Sequence, residues 1–139
     1  MKSPYVTLSR IKKFELDEKK RLLAAELEQE DIHVKKLQNL NDDYTREKEF
    51  ASAHPELCDF GLYTEQYLKK KRALERQIET IRRRIENLRD EMSAIFKDQK
   101  TYDIVEENHQ KQAQKEAEAQ EQKMLDEVGT NTYIKKHQD

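Results

Sequence analysis

The sequence of 139 residues has no tryptophan, only two glycines and two prolines, and a single cysteine. So few turn formers argue against a compact globule assembled from many short elements. One cysteine, Cys58, excludes an internal disulfide and suits a reducing compartment; it reads as an inert loop thiol. No apolar run approaches the roughly 18 residues that a bilayer-spanning helix needs. The opening MKSPYVTLSRIKKFELDEKK lacks the apolar core of a signal peptide, so a soluble, cytoplasmic protein is expected. A basic excess is also missing: 27 Lys and Arg stand against 29 Asp and Glu, for a net charge of −2. Nucleic-acid binders draw most of their affinity from phosphate contacts, and this balance speaks against that class.

What is present is charge and period. Charged residues make up 40% of the chain and hydrophobic residues 35%. The apolar residues recur regularly, which excludes a disordered polyampholyte and leaves long helices joined by a thin apolar seam. The clearest seam lies in LERQIETIRRRIENLRDEMSAIF. Ile78, Ile85 and Met92 occupy a positions, and Leu74, Ile81, Leu88 and Ile95 occupy d positions. It extends weakly back to Tyr67 and forward to Tyr102. In the first half, Leu16, Leu23, Leu27, Val34, Leu37, Tyr44 and Ala51 share one phase, interrupted by Lys20, Glu30, Asn41 and Lys48. Ser3 suits a helix N-cap and Pro4 the first helical position.

Between the halves, SAHPELCDFGL brings Pro55 and Gly61 close together. A proline inside a helix costs about 3 kcal/mol, and two weak seams bury each other in a hairpin but not in a straight rod. The expected fold is therefore all-α: a single elongated domain over residues 1–139, in which two long helices form an antiparallel coiled-coil hairpin. Helix one is expected over about residues 4–52, a turn over about 53–59, helix two over about 60–128, and a flexible tail over 129–139. Antiparallel pairing about residue 56 sets Tyr44 near Tyr67, Leu37 near Leu74 and Leu8 near Tyr102. Helix two is the longer and overhangs. Gly129 is the expected stop.

No catalytic constellation is visible. The four histidines, at 33, 54, 109 and 137, form no i, i+4 pair, and there is no phosphate-binding glycine loop. A hairpin also has no pocket in which to shift carboxylate pKa values. The chain is therefore expected to be no enzyme and to need no metal or cofactor. The basic clusters Lys69–Arg72 and Arg82–Arg84 read as solvated faces paired to nearby glutamates, such as Glu79 with Arg83, or as a site for an acidic partner. Lys71 occupies an a position, where a charge weakens the seam. Tyr44, Tyr63 and Tyr67 gather near the turn, where aromatics serve packing or partner contact. Met124, Leu125 and Val128 form an apolar cluster on a helix end that nothing covers.

Three segments carry a family resemblance: YVTLSRIKKFELDEKKRLLAAEL, GLYTEQYLKKKRALERQI and EQKMLDEVGTNTY, in order and at suitable separation. Together they resemble FliJ, the small component of the flagellar protein-export apparatus, and the related YscO group of virulence type III secretion. The resemblance implies a hairpin like the two-helix stalk of the γ subunit in rotary F-type ATPases. It implies partners: the hexameric export ATPase (FliI), whose assembly and hydrolysis the family promotes; the membrane gate (FlhA); and export chaperones. It implies a location at the inner-membrane export apparatus, peripherally held. Carried onto this chain, the termini end would meet the ATPase through Tyr5, Leu8, Ile11, Met124, Leu125 and Val128. The turn-proximal half would meet the gate through Leu37, Leu40, Tyr44, Tyr67, Lys71 and Leu74. The free chain would be a monomer, with no nucleic acid or small-molecule substrate. A dimeric coiled-coil scaffold unrelated to secretion is the competing expectation, with a nucleic-acid-binding arm as a third.

Overall fold

The computed structural model describes residues 3–57 and 59–137; Cys58 lies outside them. Two helices account for nearly all of this: α1, Pro4–Ala53, and α2, Phe60–His137. They form a helical hairpin with the second helix longer.

Local chemistry sets the ends. Ser3 caps α1: its Oγ accepts from the Tyr5 amide at 3.2 Å and its carbonyl from the Val6 amide at 3.2 Å, with Pro4 as the first helical residue. α1 stops before Pro55, which has no amide to donate. Asp59 then caps α2, its Oδ1 accepting from the Leu62 amide at 3.2 Å. Gly61 falls inside the first turn of α2, and neither glycine has a positive φ.

The far end of α2 departs from expectation. The helix does not stop at Gly129 but continues to His137. Gly129 does not take the left-handed conformation of a helix-ending glycine. Thr132 Oγ1 donates to the Val128 carbonyl at 2.9 Å, and Lys135 and Lys136 place cations at the carbonyl end of the helix dipole.

The hairpin divides into two compact units. In the unit formed by Phe14–Ile95, Ile78, Ile81 and Ile85 are the only buried side chains among the described residues, at 5%, 3% and 5% exposure. Leu74, Leu88, Met92 and Ile95 flank them, half-buried. The α1 side of this seam differs from the expected phase. Leu16, Leu23, Val34, Leu37 and Tyr44 face inward as expected, but Leu27 is 38% exposed and Lys20 and Lys48 are exposed. Lys19 and Glu26 take the inner positions in their place. An α-helix has 3.6 residues per turn and drifts from a strict seven-residue repeat. The inner stripe therefore runs through 19 and 30 to 41 in steps of 11.

Charge on that stripe is matched across the hairpin. Lys19 meets Glu91 at 2.8 Å, Glu26 meets Arg84 at 3.3 Å and Glu30 meets Arg82 at 3.2 Å. In the other unit, Lys12 meets Asp98 at 3.7 Å and Ser9 Oγ donates to Asp103 at 2.5 Å. The ring set against Tyr102 there is that of Tyr5, at 6.5 Å, while Leu8 is 36% exposed.

Candidate docking surfaces

The sequence-selected residues fall into two groups of opposite character. Near the turn, Leu37, Leu40, Tyr44, Tyr67, Lys71 and Leu74 are all half-buried. Tyr44 is the hub. It stacks on Tyr67 at 4.0 Å and 9°, on Phe60 at 5.5 Å and beside Tyr63 at 6.2 Å. The hydroxyls are placed as well as the rings: Tyr67 donates to Asn41 Oδ1 at 2.6 Å, and the Tyr44 and Thr64 hydroxyls lie 3.3 Å apart. Lys71 extends its ammonium over the Tyr67 ring, 5.8 Å from the centroid. Lys71 at a seam position is thus accommodated by an aromatic face. The Tyr63 hydroxyl is held above its usual value of 10.0, first by loss of water around it and then by the carboxylates of Glu47 and Asp43. Sequence reasoning missed Phe60 and Thr64, and placed Asn41 only as an interruption of the α1 seam. Phe60 and Thr64 continue the α2 heptad backwards, and that spacing was available.

Along the overhang, the apolar residues are bare. Met124, Leu125 and Val128 are 62%, 59% and 61% exposed, and Tyr133 and Ile134 extend the patch in the segment expected to be a tail. Tyr5 lies well short of them on α2, against Tyr102 and stacked at 5.6 Å on His109. The 15 residues from His109 to Met124 rise about 22 Å, so the structure does not bring the two halves of the expected termini-end site together. Ile11 is exposed.

The remaining candidates resolve simply. His33, His54 and His137 each hold Nδ1 against a carbonyl four residues back, at 2.7, 3.3 and 3.1 Å. No group of three or more potential metal ligands occurs among the described residues. Arg83 pairs with Glu79 at 2.6 Å, as its spacing implied, and Arg82 and Arg84 reach across to α1. Lys69, Lys70, Arg72 and Arg76 have no carboxylate partner among the described residues.

A family model described as Flagellar FliJ protein matches residues 1–138. The chain belongs to the FliJ family. FliJ is a component of flagellar type III export, non-enzymatic in its role. No curated protein and no solved structure matches the chain. The long uneven hairpin and the bare end of α2 are therefore features of a FliJ chain, and no described helix is long and apolar enough to cross a membrane.

Proposed function

We propose that this FliJ chain is the stalk of a flagellar export apparatus, binding the hexameric export ATPase at its overhanging end and the membrane gate at its turn end. It promotes assembly and hydrolysis by the ATPase, receives export chaperones, and works in the cytoplasm held peripherally at the inner membrane. The observation that carries this is the end of α2: a bare helix presenting Met124, Leu125 and Val128 at about 60% exposure. An apolar patch on a single helix demands cover, and the centre of a ring supplies cover from all sides. The mechanism is positional. A stiff helix at a ring axis contacts the subunits unequally and so favours different nucleotide states around the ring. Tyr5, Leu8 and Ile11 contribute on the flank. The aromatic hub on Tyr44, with Leu37, Leu40, Tyr67, Lys71 and Leu74, forms the gate-side face.

The test is steady-state ATP hydrolysis by the same organism's export ATPase, titrated with the full chain and with a chain truncated after Asn108. Stimulation by the first and none by the second is expected. No stimulation and no co-elution with the ring would overturn the stalk reading.

A further inference from the structure

The two grooves that run beside the seam in the turn-side unit differ in charge. One is floored by Leu40, Ala73 and Leu74 and edged by Lys36 on α1 and Lys70 on α2. Through Gln77 it continues into a more polar stretch lined by Gln29, His33, Arg76, Thr80 and Arg84, with Ile81 as its one apolar residue. Among the residues that line it the one acid is Asp43, held by Arg46, while Arg84 is already held by Glu26. Lys36, Lys70 and Arg76 are exposed and have no ionic partner among the described residues. The opposite groove, beside Val34 and Leu37, carries Glu75, Glu79 and Glu86 against Arg82 and Arg83, so its lining is net acidic.

We infer that the basic groove receives an acidic amphipathic helix of a partner protein, laid along α1 and α2 as a third strand. This rests on the turn-proximal half being a docking face, and it names the chemistry of what docks there. An apolar floor between two helices takes the apolar stripe of a third. Cations on both rims and no free acid select carboxylates on the flanks of that stripe. From Asp43 back to Gln29 the groove is about 21 Å long, room for roughly four turns of helix. A helix suits it better than nucleic acid. The unpaired cations are few and separated by an apolar floor, and residues 47–66 beside them hold five acids against Lys48 alone, which would repel a phosphate backbone.

The test uses the full chain and two labelled helical peptides with the same leucine stripe, one flanked by glutamates and the other by lysines, followed by fluorescence anisotropy at low salt. The glutamate peptide is expected to bind at least tenfold more tightly. The Lys36→Glu/Lys70→Glu/Arg76→Glu variant should reverse that preference, and Glu86→Lys on the opposite side should leave it unchanged. All four side chains are exposed, so circular dichroism should be unaltered. Equal binding of both peptides, no binding of the glutamate peptide, or tighter binding of a single-stranded oligonucleotide overturns the inference. Titrating the gate's cytoplasmic domain against the same proteins separates the two levels. Gate binding undiminished by the triple variant overturns the acidic-helix inference and leaves the stalk reading intact. No gate binding by the unaltered chain, with the peptide preference intact, removes the gate contact alone.

Discussion

Three isoleucines hold the turn-side unit together, and their burial makes them its most sensitive positions. Ile81 is 3% exposed. Ile81→Ala removes buried methylenes in a seam only two helices thick and should cost about 2–5 kcal/mol, read as a lowered urea midpoint. Leu27→Ala, at a position that had appeared equivalent from the sequence, should cost well under half of that, because Leu27 is 38% exposed. Glu26 offers the reverse case. Its Oε2 is buried without a partner while the other oxygen meets Arg84. A half-satisfied carboxylate at a seam position is a poor exchange for an apolar side chain. Glu26→Leu should therefore raise stability by about 1 kcal/mol; a lowered midpoint would show that the Arg84 pair matters more than the burial. Tyr63 links stability to pH. Its folded-state pKa is raised, so the folded chain keeps the proton more tightly than the unfolded one. The resulting contribution is complete below pH 10.0 and is lost as pH rises through the raised value. In a tyrosinate absorbance titration, Tyr63→Phe should remove a component that ionises above the ordinary tyrosine value of 10.0.

At the scale of the helices, α2 was legible because its seam is apolar nearly throughout. A 4-3 alternation of Ile, Leu and Met names its own inner face. α1 was only half legible. Its inner stripe includes Lys12, Lys19, Glu26 and Glu30, and a charged residue reveals itself as inward only when its partner on the other helix is known. Leucines at 22, 23 and 27 left the phase ambiguous, and a strict seven-residue repeat chose Leu27 where the helix turns Glu26 inward. The turn was legible from Pro55. The end of α2 was not, because a glycine late in a helix usually signals a left-handed cap, whereas Gly129 here is an ordinary helical residue with nothing within 4 Å of an added Cβ. That difference is measurable. Gly129→Ala should raise C-terminal helicity and stabilise that segment by up to about 1 kcal/mol, seen as slower amide exchange over residues 125–137. A left-handed Gly129 would make the same substitution destabilising.

For the whole molecule, the overhang poses the sharpest question, because a helix with no neighbour must support itself. Five side-chain pairs spaced four apart run along it: Lys111 with Glu107, and Gln110, Gln112, Gln114 and Gln122 with Glu106, Glu116, Glu118 and Asp126. Each supplies about 0.2–0.5 kcal/mol, and the alanines between them favour helix. Such a ladder holds a helix in shape but gives it no core, so the apolar residues near its end contribute little to folding. This separates stability from function cleanly. Replacing Met124, Leu125 and Val128 together by serine should leave the urea midpoint of the paired region unchanged, since these side chains are about 60% exposed and touch no seam. Under the stalk reading the same variant should lose most stimulation of the export ATPase while keeping its gate binding, which depends on the other end. A variant that stimulates like the unaltered chain would mean that the ring grips the polar ladder instead, and the apolar end would then need another partner.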